Sequence, residues 1–371
     1  LSSANGIKEV GYFDCPGGGQ VVVDGHVAYI AHMHAPDGTT IADVSDPRHP
    51  RQLARLEVPP DTHSHKVRAA NGVMLVNREA QPADAPKTGA QGGLGIYDVS
   101  DPARPREITF WKCGGAGVHR FTFDGRYAYI SPEMEGYVGN IVMILDLADP
   151  SRPEEVGRWW MPGQWTAGGE VPAWRGRAHR CHHPIRMGNR LYVSYWHGGF
   201  VILDIEDMHK PRHVSGFDWS PPFPWPTHTA LPIPFPIRGQ RLMVVADEDV
   251  ARPGDGRPSF LWIVDITHET RPVPFASFQV DGVDDAPQPP FTGCHQPVET
   301  VRSTEIPVAW FAHGLRIVDI ANPHAPREVA SFLPPVPAGA QRVSSNDVFV
   351  DDRGLMYLID RQRGLHILER A

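Results

Sequence analysis

The chain has 371 residues, 41% of them hydrophobic and 21% charged, with a formal charge of -8. Acidic and basic residues are mixed along it, so no basic block argues for nucleic acid and no acidic tail for disorder. No run approaches the roughly 18 consecutive apolar residues of a membrane-spanning helix, and Leu1 to Glu9 lack the charged start and apolar core of a signal peptide.

The first element, KEVGYFDC from Lys8, reads as a strand with no partner nearby in sequence. A segment then begins to recur. It reads IADVSDPRHPRQLARLEV from Ile41, IYDVSDPARPREITFWKC from Ile96 and ILDLADPSRPEEVGRWWM from Ile144. It returns as ILDIEDMHKPRHVSGFDW from Ile202, IVDITHETRPVPFASFQV from Ile263 and IVDIANPHAPREVASFLP from Ile317. The common core is an apolar pair, an aspartate, an apolar residue, a polar turn, a proline and a short alternating strand. Its aspartates, Asp43, Asp98, Asp146, Asp204, Asp265 and Asp319, are spaced about 50 to 60 residues apart, the period of a four-stranded propeller blade with some long loops. Within a repeat, short runs rich in Val, Ile, Tyr and Phe are punctuated by Gly, Asn, Asp and Pro, and no helical period persists.

These features predict an all-β fold: one seven-bladed β-propeller domain over residues 1–371, of four-stranded blades. The blades fall near 20–60, 65–113, 119–162, 183–220, 228–281, 295–333 and 346–371 plus 6–15. The last blade stops after its third strand, at HILERA. The N-terminal KEVGYFDC resembles the outer strands REITFWKC and REVASFL, so it is expected to complete that blade and close the ring.

The recurring core resembles the signature of the LVIVD-repeat family, IVDI at Ile263 and Ile317 being nearly identical to it. The resemblance covers almost the whole chain. It implies the fold and is silent about activity, since propellers host many functions.

The inner strands carry the chemical signal. Aligned on their first residue, the blades show His65, His119, His183, His228 and His295, with Asn346 and Gln20 in the remaining two. Histidine is 19 of 371 residues, so five in seven equivalent positions far exceeds its background. Inner strands line the central channel, and equivalent positions lie at one height around one axis. Imidazoles converging there suit a transition metal: iron first, then copper, manganese or zinc. At the end of the second strand stand Glu79, Glu133, His197 and Glu248, on the face where the inner strand begins. The three glutamates are expected to orient imidazoles of their own blades or to act as acid and base, with His197 beside them.

Long loops are expected to bring Trp165, Trp174, Phe223, Trp225 and Phe291 to the same mouth, beside Trp196 and His313, as a wall for an apolar or aromatic organic substrate. Arg78, Arg120 and Arg361 could neutralise a carboxylate or phenolate there. The ligand arrangement is similar to that of carotenoid-cleaving oxygenases, which are seven-bladed propellers holding iron on four histidines with outer glutamates. It is also similar to the copper-dependent selenium-binding and methanethiol-oxidase propellers. Neither matches in sequence; the likeness is one of ligand geometry.

Three functions follow. The first is a metal-dependent oxidoreductase or oxygenase acting on a small organic molecule. The second is a non-redox lyase, hydrolase or isomerase using a glutamate as acid or base. The third is a non-catalytic protein-binding propeller, against which the histidines argue. The expected partner is a small-molecule substrate, with neither nucleic acid nor membrane, and the oligomeric state is left open. Cys15, Cys113, Cys181 and Cys294 fit no disulfide framework and no zinc motif. They are expected to be reduced, in a cytoplasmic protein.

Overall fold

A computed structural model of the chain describes residues 3–80, 91–174, 176–250, 258–283 and 289–371. Residues 81–90 and 284–288, within two of the long loops, lie outside the described residues. Among the described residues the only helical pieces are two 3-10 turns, Thr166–Gly168 and Phe311–His313. All else regular is strand, arranged as seven antiparallel sheets.

The first blade runs Gly18–Asp24, Val27–His32, Asp37–Asp43, Arg51–Glu57 from inside to outside. The inner strands of the next five blades begin at Val67, Val118, Arg180, Thr227 and Gln296, and that of the seventh at Ser345. In the seventh blade the third strand, Gly364–Arg370, pairs antiparallel with Ile7–Asp14, so the N-terminal segment supplies its outer strand. Ser3–Asn5 goes one step further and adds a fifth strand to the outer edge of the sixth blade, against Ser331–Leu333. One N-terminal stretch thus ties two neighbouring blades together.

The middle strands are apolar on both faces because both faces are buried. In the fourth blade Leu191, Val193 and Tyr195 pack with Tyr129, Val142 and Ile144 of the third, while Tyr192 points to the other side, among Met243, Val245 and Val264 of the fifth. Fully burying a large apolar side chain contributes about 1.5–3 kcal/mol, so each blade-to-blade interface is a small core. The outer strands face solvent and alternate, as in Arg51–Glu57.

The repeated aspartate has a local job. One carboxylate oxygen accepts the backbone N–H two residues on: Asp43 from Ser45, Asp98 from Ser100, Asp146 from Ala148, Asp204 from Glu206, Asp265 from Thr267 and Asp319 from Ala321, all at 2.7–2.9 Å. In four blades the other oxygen meets an arginine eight residues later, at the start of the outer strand: Arg51, Arg106, Arg212 and Arg327. The motif therefore builds the turn between third and outer strands. The isoleucine two residues before each aspartate marks a β-bulge in this strand pair, from Ile41/Ala42 to Ile317/Val318.

Candidate metal centre

A second bulge recurs at the start of the inner strands. The register slips between Gly18 and Gln20, Val118 and Phe121, Cys181 and His183, Thr227 and Thr229, and Ser345 and Asp347. A bulge leaves one residue outside the ladder and re-aims its side chain. The residues so released are Gly19, His119 (with Arg120 after it), His182, His228 and Asn346; His65 and His295 hold the corresponding places in the second and sixth blades.

The imidazoles of His65, His119, His182, His228 and His295 follow one another around the channel. Successive ring centres are 5.0, 4.7, 4.4 and 4.1 Å apart. A sixth imidazole, His63, stacks on His65 at 3.8 Å. It sits on the short strand Thr62–His63, opposite Glu79. Gly19 leaves the room this pair needs, since a Cβ there would lie 2.8 Å from that of His65.

The fourth blade departs from expectation. His182, not His183, joins the ring. His183 is turned into the next tier, fully buried, with its backbone N–H on Ser194 Oγ (3.1 Å) and Nε2 3.5 Å from Glu299 Oε1. The cause is the bulge, which shifts the side-chain parity by one. For the same reason Gly19, not Gln20, stands at the ring position of the first blade. Two residues downstream of the ring position every blade has a buried apolar or proline residue, Val21, Val67, Phe121, Pro184, Ala230, Pro297 and Val348, but Ile185, two after His183, is buried and apolar too, so that column does not separate the two histidines. His63 escaped the alignment because it precedes the repeat, although His63 and His65 are two apart on an extended segment and share a face.

The hydrogen bonds fix the tautomers. Nδ1 donates to Met33 O from His63 (2.7 Å), to His228 O from His182 (2.7 Å) and to Asn346 O from His295. His228 Nδ1 donates to Thr229 Oγ1 (2.9 Å), whose own proton goes to Gln296 Oε1 (2.8 Å). His119 Nδ1 donates to Glu79 Oε2 at 2.9 Å. Five rings thus commit Nδ1, which leaves Nε2 with a free lone pair when the ring is neutral. Burial holds the rings neutral. It lowers His63 and His295 to about 4 and sets His65, His182 and His228 well below the ordinary value.

Glu79 and Glu248 reach the next blade as well as their own. Glu79 holds His119 and lies 4.0 Å from His65 Nδ1, which also takes a long 3.4 Å hydrogen bond from Asn77 Nδ2. Glu248 Oε1 faces His295 Nε2 at 3.4 Å. Burial pushes Glu248 up, while its contact with His295 and the charges of Arg361 and Lys66 pull it down. Glu133 is half-buried and makes no side-chain hydrogen bond or ion pair among the described residues. Two groups emerge with ligand atoms within 4.8 Å of one another: His63, His65 and Glu79, and His182, His228 and Glu248.

The walls are fewer than expected. Trp196 stacks on His182 (5.2 Å) and carries the Arg180 guanidinium on its other contacts (3.9 Å). Phe311 stacks on His295 (4.3 Å), and Arg361 lies over both Phe291 (5.0 Å) and Phe311 (5.2 Å). The remaining candidates lie elsewhere. Arg78 stacks over Phe110 of its own blade's outer strand. Phe223 packs on Phe260 and Trp262 between blades, and Trp225 is buried in the same loop region. Trp165 joins Tyr137 and Trp160, and Trp174 stacks on His179. His197, at φ 56°, meets the edge of Trp196. His313 makes no ring contact with the cluster among the described residues.

Beneath the imidazoles lies a polar tier formed by the next residue of each inner strand: Gln20, Lys66, Arg120, His183, Thr229, Gln296 and Asp347. Arg120 donates to Gln296 and Glu299, and Arg68 grips Glu299 from below. At the far end the channel widens into a cavity of about 230 Å³ lined by Arg68, Glu299, Asp347 and Phe349. That cavity holds no imidazole; the convergent lone pairs are at the other mouth.

The LVIVD repeat matches this chain at residues 18–55, 122–160, 187–216 and 308–333. No curated protein matches the sequence. Among solved structures the chain is similar to U3-55K, at 8% identity over 98% of both chains with a TM-score of 0.64. It is similar to Sqt1 of Saccharomyces cerevisiae at 8% identity, over 96% of this chain and 86% of that one, with a TM-score of 0.57. It is also similar to the periplasmic gluconolactonase PpgL of Pseudomonas aeruginosa at 12% identity, over 84% and 85%, with a TM-score of 0.57. Likeness at such identities is a likeness of fold alone. The chain is a seven-bladed β-propeller that carries the LVIVD repeat over those four stretches.

Proposed function

We propose that the protein is a metal-dependent enzyme holding a transition metal among the imidazoles at the channel mouth. The contact between His295 and Glu248 carries this reading. His295 gives its Nδ1 proton to Asn346 O, so in the neutral ring Nε2 is an acceptor. It faces a second acceptor, Glu248 Oε1, at 3.4 Å. Two lone pairs at that distance call for a cation between or beside them. His182 and His228 each bring a ring nitrogen within 4.8 Å of a Glu248 oxygen, and Arg120 Nη1 donates to His228 Nε2 over a long 3.4 Å that an ion would displace. Imidazole and carboxylate together suit iron, then copper, manganese or zinc, and two histidines with one carboxylate leave positions open for reactants.

The first reading of the chemistry is oxidation of a small organic substrate by dioxygen. Half-buried Phe291 and the uncovered edge of Trp196 would give such a substrate apolar surface, and Arg180 and Arg361 would supply charge for a carboxylate or phenolate on it. Metal analysis of protein purified without added metal, followed by oxygen uptake with a panel of aromatic acids and phenols, tests it. Protein that binds no transition metal after loading would end the metal reading. Metallated protein that consumes oxygen with none of the panel would remove the oxidative one.

Non-redox acid–base chemistry is the second reading, favoured by Glu133. Its carboxylate stands near the mouth without a hydrogen-bond partner, the condition in which a base is free to take a proton. Under this reading Glu133→Gln keeps its metal and loses nearly all turnover; under the first it retains most activity.

A further inference from the structure

We propose that the channel mouth binds two transition-metal ions, one on His182, His228 and Glu248 with His295 beside them, and a second on His63, His65 and Glu79. The inference rests on reading the cluster as a metal centre and goes on to its nuclearity. Ring spacing is the first reason. Steps of 4.1–5.0 Å between successive imidazoles around a seven-fold channel put the ring centres about 5 Å from the axis. A metal sits only about 2.1 Å from its nitrogen ligand. One ion on the axis would be out of reach of most of the rings, whereas an ion off the axis can be reached by neighbours on one arc only. The six imidazoles are therefore too widely spread for one ion.

The donors also divide by blade. His63, His65 and Glu79 all come from the second blade, and Glu79 is the cross-strand partner of His63. His182, His228 and Glu248 come from the fourth and fifth. Each group brings two imidazoles and one carboxylate, and in each the donor atoms already lie within 4.8 Å of one another. His63 has spent Nδ1 on Met33 O, so its Nε2 is left for a ligand, and His65 turns Nδ1 towards Glu79 Oε2 at 4.0 Å. His119 stands between the groups, with its Nδ1 tied to Glu79 and its ring 5.0 Å from His65 and 4.7 Å from His182. It links the two sites mechanically, since moving Glu79 onto an ion moves the His119 ring.

Charge permits the pair. Two carboxylates offset part of the repulsion between two dications held in a partly dry site. Arg180 feels Glu79, Glu248 and Glu133 together, yet it makes no ion pair with any of them within 4 Å among the described residues, so an ion need not displace it from either ligand carboxylate.

The test is a titration of chelator-stripped full-length protein with Co(II), followed by calorimetry and by the visible absorption of the bound ion. Wild type should take up two equivalents. His63→Ala and His65→Ala should each take up one, and that one should vanish when His228→Ala is added. His228→Ala alone should likewise keep one. The equivalent retained in each single variant shows that the variant is folded. A single equivalent in wild type, abolished by His228→Ala and untouched by His63→Ala, would overturn the second ion while leaving the metal centre standing. No uptake by wild type would overturn both.

Discussion

His119 Nδ1 donates to Glu79 Oε2 at 2.9 Å across the boundary between the second and third blades. The glutamate at the end of one blade's second strand thereby sets the tautomer and tilt of the imidazole in the next. Glu248 makes a second crossing three blades further round, where its Oε1 faces His295 Nε2 of the following blade at 3.4 Å. Each of these two carboxylates is thus placed by one blade and also contacts an imidazole of the next, so the site depends on correct packing between blades as well as within them.

That arrangement predicts the behaviour of Glu79→Gln. The amide oxygen can still accept the His119 proton, so the ring keeps its place, but the carboxylate charge beside His63 and His65 is gone. Affinity for the second ion, of which Glu79 is a ligand, should fall by more than the roughly 10–100-fold of an outer-sphere change. Glu79→Ala, which also frees His119, should cost more. Isothermal titration of the two variants reads the order directly. Equal affinities in wild type and Glu79→Gln would show that the carboxylate has no part in holding metal.

Much of the site was legible in the sequence, and the part that was not has a definite cause. The blade count, the closing strand and the positions of His65, His119, His228 and His295 followed from periodicity and alignment. The choice between His182 and His183 did not, because the two are adjacent and a β-bulge between Cys181 and His183 reverses which of them faces the channel. The pairing of glutamates with neighbouring blades was equally hidden, since sequence alignment compares equivalent positions within repeats and carries no information on inter-blade distance. Arg78 was misplaced for a simpler reason: alternation along its strand sends it towards Phe110, while its neighbour Glu79 goes to the channel. The two histidines separate experimentally. His182→Ala should lower metal affinity by more than the 10–100-fold or so of an outer-sphere change. His183→Ala should leave metal binding close to wild type and cost roughly 1–3 kcal/mol of stability, since a buried group loses its partner. Metal titration and chemical denaturation of both variants decide it; the reverse pattern would restore His183 to the ring.

Closure of the ring by the N-terminus predicts a graded response to truncation. Deleting residues 1–5 removes only Ser3–Asn5 from the edge of the sixth blade, an extra strand on a complete sheet. A small loss of thermal stability should follow. Deleting residues 1–15 also removes Ile7–Asp14 and exposes the edge of Gly364–Arg370. That change should consume a large part of the ~5–15 kcal/mol by which a folded protein is held, and should promote aggregation. Melting curves of the two truncations against the full chain measure both steps. Equal stability of the longer truncation and the full chain would mean that the seventh blade needs no fourth strand.

The repeated aspartates predict how the fold responds to acid. Ser45 and Arg51 hydrogen bonds hold Asp43 down at about 2, and those from Ser100 and Arg106 do the same for Asp98. Asp146, held by Arg126, and Asp204, held by the Glu206 N–H, are lowered as well. A free aspartate titrates near 3.9. Since the folded value lies below the unfolded one, the unfolded chain binds more protons in the interval between them. The stabilisation these turns provide is therefore complete above about pH 4 and is lost as pH falls towards about 2. An asparagine can still accept the turn hydrogen bond but cannot hold the arginine as a charge pair or titrate. Asp43→Asn and Asp98→Asn should thus be less stable than wild type at pH 7, and the gap should close between pH 4 and pH 2. Denaturation midpoints of wild type and both variants across that interval give the answer. A gap that stays constant with pH would show that the charge of the repeated aspartate is irrelevant to the turn, and that its side-chain oxygen alone accounts for its recurrence.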